Sequence, residues 1–155
     1  KFFFSVNIFK NKVISTSDEP YISVWFRADS KNLTLKDLSR FSTLKYSFGR
    51  NKGDARILNN NKVFWKQSTI FYNPYPEIDE LKNKIEKLLD FLEKDRKGFS
   101  KLINQADGYI DVNIIFYNGN SLLGNINLDY KVIKRISKLK LATNFNIEAN
   151  GNKFS

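Results

Sequence analysis

Residues 76–92, PEIDELKNKIEKLLDFL, set Ile78, Leu81, Ile85, Leu88 and Leu92 at alternating steps of three and four. That spacing gathers them on one face of an α-helix. Pro76 suits the first helical position, where its missing N–H costs nothing, and Glu77, Asp79 and Glu80 suit the positive end of the helix dipole. The pattern predicts a helix from Pro76 through Leu92 that bends near Gly98 and runs on through Phe99, Leu102 and Ile103. A stripe of about two heptads is too short for a coiled coil, so the helix needs a sheet to pack on.

Strand patterns lie on both sides of it. Phe2–Phe9 alternates, and Lys10-Asn11-Lys12 is expected to turn it into a second strand, Val13–Thr16, making an N-terminal hairpin over residues 1–20. In Tyr21–Ala28, the residues Ile22, Val24, Phe26 and Ala28 face one way and Tyr21, Ser23, Trp25 and Arg27 the other. Thr34 with Asp37 is a variant capping box for a short helix bearing Leu35, Leu38 and Phe41. Leu44–Phe48 and Val63–Tyr72 read as strands, separated by a polar loop from Gly49 to Asn61. Asp107-Gly108 reads as a turn before the alternating strand Tyr109–Tyr117, which Asn118-Gly119-Asn120 ends. Asn127 is expected to cap a last helix carrying Leu128, Val132, Ile133, Ile136 and Leu139; a strand from Leu141 to Ala149 closes the chain, and residues 150–155 are a polar tail. The expected fold is α+β in one domain spanning residues 1–155. Its ferredoxin-like βαββαβ core is extended by an αβ unit and the N-terminal β-hairpin, with a mainly antiparallel sheet and helices on one face.

Composition narrows the chemistry. The 155 residues contain no histidine and no cysteine. That removes the usual acid–base group near neutral pH, the thiolate nucleophile, and the common Ser-His-Asp, Cys-His and zinc constellations. No glycine-rich P-loop, no nucleophile elbow and no arguable carboxylate pair takes their place, although Asp111 and Glu148 would come close if their strands are neighbours. No catalytic residue, cofactor or metal is expected. No apolar run is long enough to span a bilayer, and without cysteine nothing ties the chain to an oxidising compartment, so a cytoplasmic protein with no membrane partner is expected. The chain does not begin with methionine, and trimming at its start is expected.

The net charge of +10 invites an anionic partner, but lysine outnumbers arginine 20 to 6 and asparagine occurs 19 times. Those residues share A/T-rich codons, so codon bias on a solvated surface explains the charge as well as a functional basic face does. Two basic groups stand out. Arg50, Lys52, Asp54 and Arg56 surround Gly53, which permits a positive-φ turn; the group either meets phosphate or carboxylate or is a solvated turn. Lys131, Lys134, Arg135 and Lys138 line the last helix; they either neutralise phosphates or complement the helix C-terminus. A third group is aromatic: Trp25, Tyr109 and Tyr117 stack bases if their sheet face is open, or cover the sheet if it is not. Trp65 is expected to be structural, packed on the long helix near Leu81, Ile85 or Leu88.

Several of these stretches together resemble a bacterial domain-of-unknown-function family, number 4279. They are Ile22-Ser-Val-Trp-Phe-Arg27, Leu33-Thr-Leu-Lys-Asp-Leu38, Arg50-Asn-Lys-Gly-Asp54, Val63-Phe-Trp-Lys66, the helix Ile78–Leu92 and Asn144-Phe-Asn-Ile-Glu148. Lys52-Gly53-Asp54 and Trp65 are the most distinctive, and the aromatic N-terminus and asparagine-rich loop depart from the family pattern. The resemblance implies an α+β domain without established enzyme activity, similar to immunity proteins of bacterial toxin systems. The expected function is therefore a non-catalytic immunity protein, a monomer when free and bound one-to-one to a cognate toxin domain. The alternative is a basic nucleic-acid-binding module using the last helix and the glycine loop.

Overall fold

A computed structural model describes residues 2–9, 20–116 and 126–150. The expected strand Val13–Thr16, the turn at Asn118–Asn120 and residues 151–155 of the expected tail lie outside them. The elements run β1 (Phe2–Phe9), β2 (Tyr21–Ser30), α1 (Leu35–Ser39), β3 (Phe48–Arg50), β4 (Ala55–Leu58), β5 (Asn61–Phe64) and β6 (Ser68–Tyr72). They continue with α2 (Leu81–Glu93), α3 (Arg96–Gln105), β7 (Asp107–Phe116), α4 (Tyr130–Lys138) and β8 (Ala142–Asn150). A six-stranded sheet has the order β1-β8-β7-β2-β6-β3. Its inner part, β7-β2-β6-β3, is antiparallel throughout and carries the strand order of a βαββαβ core. The α4–β8 unit adds β8 parallel to β7, and β1 then pairs parallel with β8, Phe2 opposite Thr143 through Phe9 opposite Asn150.

The period-two pattern decides which face is dry. Val24, Phe26 and Ala28 of β2, Ile70 and Tyr72 of β6, and Ile110, Val112 and Ile114 of β7 join one buried cluster. All four helices feed the same cluster, through Leu38, then Leu88 and Leu92, then Phe99 and Leu102, then Val132 and Ile136. At its centre, the rings of Phe26 and Tyr72 each meet Phe99 edge-on at 5.1 Å.

The sequence reading needs correction at the breaks. The long helix starts at Leu81, not Pro76. The buried Lys84 explains this: its ammonium donates to the carbonyls of Tyr75, at 3.2 Å, and Glu77, holding that segment outside the helix. Ile78 consequently points into solvent, 86% exposed. The break between α2 and α3 falls at Lys94–Asp95, ahead of Gly98. Asp95 is the reason: its carboxylate accepts the Gly98 N–H at 3.0 Å as a helix cap, the Ser42 hydroxyl at 2.9 Å and the Thr43 N–H at 2.7 Å. Gly98 must lack a Cβ, which would collide with that carboxylate. The last helix is capped by Asp129 instead of Asn127, and Asp107-Gly108 lies inside β7.

The Gly49–Asn61 region is not a plain loop. It closes β3 and then forms the β4–β5 hairpin, whose two-residue turn has Asn59 and Asn60 at φ 48° and 62°. Paired positive φ is the type I′ signature, and asparagine tolerates it. The strand expected over Val63–Tyr72 is split into β5 and β6, and that expected over Leu44–Phe48 is displaced: β3 begins only at Phe48 and runs to Arg50. Trp65 falls in the split and does not reach α2.

Asp95 thus ties the α1–β3 connection to the helix junction. Asp95→Ala removes a cap worth about 1 kcal/mol and the acceptor of three further donors, the Ser42 hydroxyl and the Thr43 N–H and hydroxyl, which together contribute about 1–2 kcal/mol. Urea unfolding should show a loss of about 2–3 kcal/mol. The Thr43 N–H, foremost, holds the Asp95 carboxyl below its ordinary value. Its stabilisation is therefore complete above the unfolded-state carboxylate pKa and is lost as pH falls through the lower folded value. Asp95→Asn should flatten that acid limb, and an unchanged limb would contradict this role.

Candidate interaction face of the sheet

Alternation places the odd-numbered residues of β2, β6 and β7 on the face away from the helices. Trp25, Arg27 and Asp29 come from β2, Thr69 and Phe71 from β6, and Tyr109, Asp111 and Asn113 from β7. Asn144 and Asn146 join from β8, and Phe48 and Arg50 from β3.

One half of this face is a polar network. Asp29 and Asp111 are buried, their side chains 7% and 9% exposed, and Arg27 lies between them. Its NH1 is 3.1 Å from Asp111 Oδ2, and its Nε is 3.1 Å from Asp29 Oδ2 in an ion pair whose N–H is not aligned for a hydrogen bond. The Thr69 hydroxyl donates to Asp29 Oδ1 at 2.7 Å, and the Asn144 amide donates to Asp111 Oδ1 at 2.8 Å. Asn146 donates in the same way to Asn113 at 2.9 Å, and the Arg27 guanidinium sits 5.1 Å from the centre of the Tyr109 ring. Burial raises the Asp111 pKa, while Arg27 and Asn144 pull it back. Both carboxylates are occupied by a shared cation, so neither stands ready as a general base. Asp111 and Glu148 do not pair either: Asp111 is opposite Asn144, and Glu148 is opposite Ile115.

The other half is aromatic and cationic. Phe48 stacks on Phe71 at 4.1 Å, and Trp25 meets both edge-on at 5.9 and 6.2 Å. The guanidinium carbons of Arg50 and Arg56 lie 3.3 and 3.9 Å from the centre of the Trp65 ring. Arg50 Nε is buried without a hydrogen-bond partner. Neither Arg50 nor Arg56 has a carboxylate in ion-pair reach among the described residues.

Of the residues singled out in the glycine loop, Arg50 and Arg56 therefore converge, and they converge on Trp65. Lys52 and Asp54 build the turn instead. The Asp54 carboxylate accepts the Asn51 N–H at 2.6 Å, the Lys52 N–H donates to the Ser68 hydroxyl at 3.0 Å, and the Lys52 ammonium donates to the Lys31 carbonyl at 3.3 Å. Gly53, at φ +88°, turns its N–H to the Trp65 carbonyl at 2.8 Å. Trp65 itself corrects the expectation of a core ring, since it is half-buried and packed by two cations outside the core.

The α4 group lies with the helices, on the other side of the sheet, and is not an unbroken basic face. Arg135 is bound by Glu93 at 3.1 and 3.0 Å and by Asp90 at 2.6 Å. Lys131, Lys134 and Lys138 remain exposed, Lys134 sitting 5.6 Å from the Tyr130 ring centre. Among the described residues no group of carboxylates is placed to hold a metal ion, and no helix is long and apolar enough to cross a membrane. The reading from sequence missed Asp29, Thr69, Phe48 and Phe71. The available signal was the β2 alternation, which continues past Ala28 to Ser30.

Removing Arg27 leaves two buried carboxylates uncompensated. Arg27→Met should cost about 3 kcal/mol in urea unfolding, the low end for a buried pair because Arg27 keeps some solvent contact. Adding Asp111→Asn should recover part of the loss. Two independent, additive costs would mean that no coupled network exists.

A family model described as a domain of unknown function, DUF4279, matches residues 19–150. No curated protein and no solved structure matches the chain. The matched span runs from just before β2 to the end of β8 and so contains both halves of the face opposite the helices. The chain belongs to the DUF4279 family.

Proposed function

We propose that the chain is a non-catalytic binding domain that captures a protein on the sheet face opposite its helices. The partner is a cognate bacterial toxin domain, and the chain is its cytoplasmic immunity protein. The observation that carries this reading is the make-up of the face. Three of the six arginines in the sequence, Arg27, Arg50 and Arg56, sit there, together with both tryptophans, Trp25 and Trp65. Tryptophan, tyrosine and arginine are the residues that dominate binding energy at protein interfaces. The adjoining hairpin adds exposed Ile57, Leu58 and Phe64, with Ile57 80% exposed. The Arg27 network supplies a rigid floor, so little ordering is needed on association. Unpaired Arg50 and Arg56 favour an acidic patch on the partner. The toxin assignment rests on the family resemblance and on the absence of histidine and cysteine. The nucleic-acid alternative is weakened by Arg135, the arginine of its helix, which is already paired with Glu93 and Asp90.

Co-expression with the product of the adjacent reading frame tests the proposal: the two should co-purify one-to-one, and the chain should protect cells from that product. Trp65→Ala should leave the melting temperature within a few degrees of the parent, because the ring lies outside the core, while weakening binding about tenfold or more. Arg50→Glu should weaken it further. Lys131→Glu with Lys134→Glu should bind like the parent. A Trp65→Ala protein that unfolds, or that binds undiminished, would show that this face is not the interface. Retardation of nucleic acid abolished by the α4 substitutions would favour the alternative.

A further inference from the structure

On the opposite side of the molecule, a cleft of about 680 Å³ opens between α3 and the end of α4. Arg96, Lys97 and Lys101 of α3, Lys138 at the end of α4 and Lys140 just beyond it line it. Among the described residues none of these five forms an ion pair or donates to a carboxylate, whereas other cations of the helix layer do: Lys82 pairs with Asp129, Lys87 with Asp79, and Arg135 with Glu93. Among the described residues no carboxylate lines the cleft. Five unneutralised like charges facing a common space repel one another, and an anion between them removes that cost.

Three of these cations occupy locally unfavourable positions. Arg96 and Lys97 occupy the first turn of α3, where the helix dipole favours acids. Lys140 holds φ 55° at the end of α4. Its N–H reaches the Ser137 carbonyl at 2.9 Å and the Leu141 N–H reaches Ile136 at 3.3 Å, the hydrogen bonds of a helix-terminating motif whose left-handed position is ordinarily glycine. A lysine there carries backbone strain that a glycine would not.

We propose that this cleft is a binding site for a small molecule bearing a di- or triphosphate group. Its size falls in the range of small-ligand pockets, about 300–1,000 Å³. Ile103 and Leu139 give it apolar wall on which a ring can lie, and Ser100 and Asn104 offer hydrogen-bonding groups beside the cations. That mixture suits a nucleotide better than a bare acidic peptide strand, which has no ring to bury. The site is separate from the sheet face opposite the helices, and its occupation does not depend on the toxin reading.

Isothermal titration of the full chain with ATP, tripolyphosphate, inorganic phosphate and an oligoglutamate peptide tests the site. ATP should bind one-to-one and more tightly than tripolyphosphate, and inorganic phosphate only weakly. Equal binding of ATP and tripolyphosphate would still support the phosphate site, with inorganic polyphosphate as the source. Lys140→Gly is the decisive variant, since it relieves the strained backbone and should melt at or above the parent temperature. It should nonetheless bind ATP several-fold more weakly, and Lys101→Ala combined with Arg96→Ala should weaken binding by about tenfold or more. Failure of ATP and tripolyphosphate to bind, equal affinity of the variants and the parent, or tighter binding of oligoglutamate than of ATP would each overturn the proposal. The last result would reassign the cleft to an acidic protein segment.

Discussion

The edge-on contact of Phe26 and Tyr72 with Phe99 joins the two central antiparallel strands to the helix layer, and the remaining architecture follows from it. Phe26 and Tyr72 are register partners on adjacent strands, so their rings emerge on the same face. Once that face is dry, alternation obliges Trp25, Arg27, Asp29 and Phe71 to emerge on the other. Among the described residues all four helices bury apolar residues against the first face, and no described helix lies on the second. An antiparallel sheet with helices on one face only is ordinary. What is unusual here is how the other face is furnished.

Its polar half is an electrostatic compromise. Two carboxylates on neighbouring strands are desolvated, a cost met by one guanidinium and by hydrogen bonds from Thr69 and Asn144. A hydrophobic trio of similar shape would hold a sheet at least as well. The network is therefore more intelligible as a fixed polar floor beside the rings of Trp25, Phe48 and Phe71 than as a device for stability. The helix-packed core and the polar and aromatic groups thus lie on opposite faces of the same strands, and a substitution can be sorted by whether its position is odd or even along β2.

Much of this was legible in the sequence because it depends on local periodicity. The alternation of Tyr21–Ala28 and Tyr109–Phe116, the Thr34–Asp37 cap and the stripe from Leu81 to Leu92 all appear where their spacing puts them. The errors arose where a distant partner overrides a local signal. Lys84 captures carbonyls upstream and delays the helix that Pro76 would start. Asp95 reaches Ser42 and Thr43, more than fifty residues earlier, and so moves the helix break. Asn59 and Asn60 fold a hairpin that composition alone reads as loop. For the site, Arg50 and Arg56 were visible as charges, but their convergence on Trp65 depends on the hairpin and was not. Neither was the pairing of Arg135 across to α2, which removes one cation from a helix that reads as uniformly basic.

The central claim is that the helix-free face is the surface that a partner covers. The sequence contains two tryptophans, and both lie on it, so fluorescence reports on that face alone. The most direct measurement is acrylamide quenching of tryptophan emission in the free chain and in its complex with the product of the adjacent reading frame. The account predicts that both rings are quenched in the free chain, and that the complex shields them and shifts their emission to shorter wavelength. A complex that forms with emission and quenching unchanged would contradict it.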